Sequence, residues 1–107
     1  MLSALPDAAG DEKFDTLLAR PGVRILRIVS DGQVSPPGEW LDQDDAEWVI
    51  VLAGRAMLLF DGESDIRLLE PGGYAFLPAN CRHRVEWTDP ETPTVWLAVH
   101  MALIIEG

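Results

Sequence analysis

The chain has 107 residues, 48% of them hydrophobic and 24% charged, with a formal net charge of −10. That length suits one domain, and that composition supports a packed core and excludes a disordered chain. The excess of 18 acids over 8 Lys and Arg excludes nucleic acid and anionic membrane surfaces as partners, while leaving small molecules and cations open.

The opening stretch "MLSALPDAAGDEKFD" has no basic start and no sustained apolar run, so it is not a secretory signal. Next, "DEKFDTLLA" (11 to 19) spaces Phe14, Leu17 and Leu18 as one face of a helix, with Asp11 as N-cap and "RPG" as the stop. We therefore expect one short helix over about 11–19. After it the period changes. "VRILRIV" (23 to 29) is rich in β-branched residues and reads as a strand, and "SDGQVSPPGE" (30 to 39) is turn chemistry. From residue 47 onward short apolar runs alternate with turns: "EWVIVLA", "AMLLF", the Asp-Gly turn in "DGESD", "IRLL", "EPGG", "YAFLP", "HRVEW", "TDPETP" and "TVWLAVHMALII". Many short strands at even spacing predict an all-β sandwich or barrel. The uncharged run over 92–105 is too short to span a membrane, which takes about 20 apolar residues. A single cysteine, Cys81, cannot form an internal disulfide. Together these features predict a cytoplasmic protein.

Two strands carry residues that a plain core would not need. "AEWVIVLAG" (46 to 54) reads as a buried strand but begins with a carboxylate. With period 2, Glu47 shares a face with Val49 and Val51. Burying that carboxylate is costly unless something pairs with it. In "CRHRVEW" (81 to 87), alternation puts Cys81, His83, Val85 and Trp87 on one face and the charged Arg82, Arg84 and Glu86 on the other. An inward Glu and an inward His predict one shared cavity, with the two as metal ligands or as an acid–base pair. Trp40, in the turn-rich stretch, is a candidate wall or rim of that cavity, and Trp87 a candidate lid at one end. Asp42 sits in the acidic segment "GEWLDQDDAE", which otherwise reads as a solvated loop. His100 shares a face with Trp96 and Ala98 and is assigned a structural or interface position. Nothing places a base beside Cys81, so no nucleophilic role is assigned to it.

The sequence resembles the cupin family, small β-barrels of jelly-roll type. The first cupin motif ends in a Glu followed, after six residues, by a Gly, which Glu47 and Gly54 match. The second runs G-x5-P-x-G-x2-H-x3-N. In "LEPGGYAFLPANCRHRV", Gly72, Pro78 and His83 fit it, Asn80 stands for the second Gly, and Trp87 replaces the Asn. The resemblance covers about residues 23–102 and implies a single cupin-type jelly-roll barrel over the 1–107 chain, preceded by the short helix. Metal-binding cupins usually open the first motif with H-x-H. Here those positions hold Leu41 and Gln43, or Trp40 and Asp42, depending on the spacing. The implied ligand set is Gln43, Glu47 and His83, with Asp42 as the alternative oxygen donor, around a divalent ion such as Mn, Ni, Fe or Zn. Without a metal, Glu47 and His83 bond to each other or to water. The implied functions are two: binding a small molecule with metal-dependent oxygenase or isomerase chemistry, or non-catalytic binding or sensing without metal. We also expect a homodimer, with "VRILRIV" or the tail "MALII" as the edge that is paired or covered.

Overall fold

A computed structural model describes residue 2 and residues 5–102. Eight strands run in chain order: β1 (Lys13–Arg20), β2 (Val23–Ser30), β3 (Ala46–Ala53), β4 (Ala56–Phe60), β5 (Arg67–Leu69), β6 (Tyr74–Leu77), β7 (His83–Thr88) and β8 (Thr94–Met101). They form two antiparallel sheets, one ordered β1-β2-β8-β3-β6 and one ordered β5-β4-β7. Side chains from both meet in one core that includes Val49, Val51, Leu58, Phe60, Leu77 and Trp96. The architecture is thus all-β, as the alternating pattern predicts. The two sheets are not closed into a barrel, and they face each other as a sandwich. Among the described residues no helix is long and apolar enough to cross a membrane.

The helix expected over 11–19 is absent, and the segment is strand β1, paired with β2 through the turn at Pro21-Gly22. The helical spacing of Phe14, Leu17 and Leu18 has a different origin. Thr16 pairs with Leu26 and Leu18 with Ile25, so Leu17 is an extra, bulged residue that shifts the pattern by one. Phe14, Leu17 and Leu18 are all exposed, so no amphipathic face exists to hold a helix. A helix this short is marginal by itself. A ladder to β2, with an Arg27–Asp15 ion pair of 2.6 Å at a directly opposed position, takes its place. Strand β1 therefore forms the edge of the larger sheet. "VRILRIV" lies inside it, between β1 and β8. The tail "MALII" contributes only Met101 and Ala102 to the described residues.

A second bulge redirects β7. Leu58 pairs with Val85 and Met57 with Trp87, so Glu86 is the extra residue. Before it, His83 and Val85 face inward opposite Phe60 and Leu58. Beyond it, Thr88 is the residue buried opposite Ala56. Trp87 instead falls opposite Met57, with the Arg55 guanidinium 5.7 Å above its ring.

Candidate functional site

The inward face of the larger sheet is arranged in rows across β2, β8, β3 and β6. One row reads Arg24, His100, Glu47, Leu77. The next reads Leu26, Ala98, Val49, Ala75, and the third Ile28, Trp96, Val51. One end of the sheet is therefore polar and the rest apolar. The smaller sheet sets Leu58, Val85 and His83 against these rows. Between them lies a cavity of about 320 Å³, near the lower limit of small-molecule sites at roughly 300–1,000 Å³.

Gln43, Glu47, His83 and His100 all line this cavity, and so does Leu41. Trp40, Asp42 and Trp87 are not among its lining residues. Trp40 lies under the Arg82 guanidinium at 5.4 Å, and the bulge at Glu86 explains the position of Trp87. Of the two registers left open by the sequence, Leu41 and Gln43 are thus the pair that reaches the cavity. Backbone bonds place them. Leu41 and His83 exchange N–H···O=C bonds of 2.6 and 3.0 Å, and the Asn80 N–H donates to the Gln43 carbonyl at 2.6 Å. Asn80 takes a φ of 59°, the left-handed conformation that the motif's glycine would supply and that Asn tolerates.

The partner that Glu47 requires is His100. Its Nε2 lies 3.3 Å from Glu47 Oε2, and both side chains are only 10% exposed. The other carboxylate oxygen accepts a 3.0 Å bond from the Gln43 amide nitrogen. A carboxylate accepts, so His100 Nε2 carries a proton. The ring's Nδ1 is buried and has no hydrogen-bond partner. His83 is fixed differently: its Nδ1 donates to the Cys81 carbonyl at 2.9 Å, and its ring packs on Phe60. At the opposite wall the Trp96 indole N–H donates to Ser30 Oγ at 3.1 Å, and the Ser30 hydroxyl donates to Glu12.

Sequence reasoning assigns His100 a structural or interface position and does not reveal its contact with Glu47. Its alternation with Trp96 and Ala98 correctly marks an inward face. Its partner was hidden because only the strand order sets β8 between β2 and β3. Arg24, which shares the inward face with Leu26 and Ile28, was missed for the same reason.

As placed, these groups are not a ready metal centre. Among the described residues no three His, Cys, Asp or Glu side chains form a group that could hold an ion. Gln43 also presents its amide nitrogen, a donor, toward Glu47.

The family model for the cupin domain matches residues 26–100. No curated protein matches the chain. Among solved structures the chain is similar to one from Ralstonia eutropha JMP134 named a "putative mannose-6-phosphate isomerase", at 48% identity over 95% of this chain and 94% of that one, with a TM-score of 0.92. A cupin superfamily protein from Desulfitobacterium hafniense DCB-2 shares the fold at 16% identity over 96% of this chain and 94% of that one, with a TM-score of 0.71. So does cobalt(II) HppE in complex with Tris buffer, at 17% identity over 84% of this chain and 53% of that one, with a TM-score of 0.69. The family match over residues 26–100, with the 48%-identical structure covered over nearly its whole length, shows that this protein belongs to the cupin family.

Proposed function

We propose that this cupin domain binds a small molecule in the cavity and moves a proton on it with the Glu47–His100 pair, without a metal. The observation that carries this reading is the unpartnered Nδ1 of His100, held by a buried carboxylate at Nε2. In that arrangement Nδ1 is the base. Glu47 orients the ring and stabilises the imidazolium once Nδ1 has taken the proton. Returning the proton to a different atom of the ligand is an isomerisation, which leaves its composition unchanged and needs no oxidant or reductant. Isomerisation is also the reaction type in the name of the 48%-identical structure.

A divalent ion held by Gln43, Glu47 and His83 is the second reading. Its support is the convergence of those three side chains on one cavity and the shared fold with a cobalt-bound protein. Such an ion would supply Lewis-acid chemistry at the site. Elemental analysis of protein purified without a polyhistidine tag separates the readings. So does calorimetry with manganese, nickel and zinc on wild type, Glu47→Gln and His83→Ala. The metal-free reading expects no ion in the purified protein and no heat that depends on these residues. Stoichiometric metal that is lost in His83→Ala would replace it with the second reading.

We also propose a homodimer. Strand β1 leaves one edge of the larger sheet unpaired and exposes Phe14, Leu17 and Leu18, a surface suited to a second copy of the chain. Sedimentation at high micromolar concentration tests this, and a monomer there would rule it out.

A further inference from the structure

We infer that a second copy of this chain packs face to face on the outer side of the larger sheet. This rests on the homodimer reading above and places the partner on the face of which the β1 edge, with Leu18, is the rim. Three observations converge on it.

The first is the composition of that face. Successive side chains of a strand point to opposite sides, so the residues between the inward rows point outward. One outward row runs Leu18, Ile25, Val99, Trp48, Phe76 across all five strands. The next runs through Leu97, Ile50 and Tyr74. The two sheets meet on the other side, so no strand covers these rows among the described residues. At one end Ala8 packs with Val29 and Val95, and the chain itself covers the face there. Farther along, Leu18 is 39%, Phe76 50% and Tyr74 65% exposed. Trp48 and Tyr74 stand together, with ring centroids 5.9 Å apart. A contiguous apolar patch of this kind marks an interaction surface, and Trp and Tyr are the residues that most often anchor one.

The second is charge. In these two rows the only charged side chains are Arg27 and Asp15, which pair with each other at 2.6 Å. The chain as a whole has a net charge of −10, and two such chains repel. A neutral face lets them meet without opposing like charges, and it offers no complementary charge to a basic or acidic partner.

The third is area. Strands spaced about 4.8 Å apart, with about 3.3 Å per residue, give the part not covered by Ala8 dimensions of roughly 24 by 20 Å. Two copies would then bury about 1,000 Å², the size at which a specific interface begins. Sheets packed this way lie about 10 Å apart and exchange identical contacts about a two-fold axis.

The test is sedimentation of the full chain at micromolar concentrations, using wild type, Phe76→Glu, Tyr74→Glu and Leu17→Glu, with urea unfolding as the check on folding. Leu17 lies in the β1 edge, outside both rows. Wild type is expected to be a dimer. Phe76→Glu and Tyr74→Glu are expected to remain folded and to raise the dimer dissociation constant by at least about thirtyfold, while Leu17→Glu changes it little. Phe76→Ser, which introduces no charge, gives a smaller shift in the same direction should the acid disturb the fold. A wild-type dimer that withstands the folded Phe76 and Tyr74 variants overturns the face. If Leu17→Glu alone dissociates it, the edge is the interface and the homodimer reading stands. A monomeric wild type at high micromolar concentration removes both.

Discussion

Glu47 is the second residue of strand β3, which runs into Gly54, and the strand's two ends serve different purposes. At the Glu47 end the sheet opens on a cavity, with a buried carboxylate and an imidazole in contact. At the Gly54 end there is no spare space. A Cβ on Gly54 would sit 2.5 Å from Thr94 Oγ1 and 2.8 Å from the Pro93 carbonyl oxygen, and the residue has a φ of +78°. Around it Val51, Thr94 and Val95 are completely buried, and the Arg55 N–H donates to Thr94 Oγ1. Six residues separate the motif Glu from the motif Gly, which directly follows the strand, yet one lines the cavity and the other holds the backbone together. Residues with nothing to do with ligand can thus be as tightly specified as those that meet it.

The comparison breaks most clearly with Gly54→Ala. Left-handed strain of about 1–2 kcal/mol adds to overpacking of about 1–3 kcal/mol, so urea unfolding should show a loss of roughly 2–5 kcal/mol. A loss below about 1 kcal/mol would mean that this end is as yielding as the other. Next is His100→Leu, which leaves Glu47 without its imidazole partner. The expected cost is about 1–3 kcal/mol by the same measurement, together with loss of any proton transfer at the site. No loss of stability would show that the two side chains do not interact in solution.

Asp89 sharpens the packed end. The Glu91 N–H, and then Arg55, hold its carboxyl below the usual value of 3.8. A group with a lowered folded-state pKa contributes stability above its unfolded value, and that contribution fades as pH falls through the folded one. Asp89→Asn should therefore lower Tm at neutral pH, and the gap to wild type should close in acid below about pH 3.8. A gap that is constant with pH would assign its effect to something other than charge. The smallest effect is expected of Arg24→Gln. Its side chain is exposed and unpaired, so stability should stay within about 0.5 kcal/mol of wild type in urea unfolding.

The inward positions of Glu47 and His83 were legible because strand alternation is local, and both strands keep period 2 at those residues. Three features were not legible, each for a non-local reason. The bulge at Glu86 turns Trp87 outward, and no residue type in "HRVEW" announces it. The β1 pattern mimics a helix because a bulge adds one residue to it. The row Arg24, His100, Glu47 exists only because β8, last in the described chain, is inserted between β2 and β3.

Main-chain bonds fasten Leu41 and Gln43 to His83 and Asn80. Such bonds are indifferent to side-chain identity. Their aim into the cavity should survive substitution at either position, so imidazoles introduced there would arrive already facing Glu47 and His83. The scaffold therefore leaves a metal-binding version two codon changes of residue identity away, and drift between catalytic types in this fold need not wait for any rearrangement of the backbone.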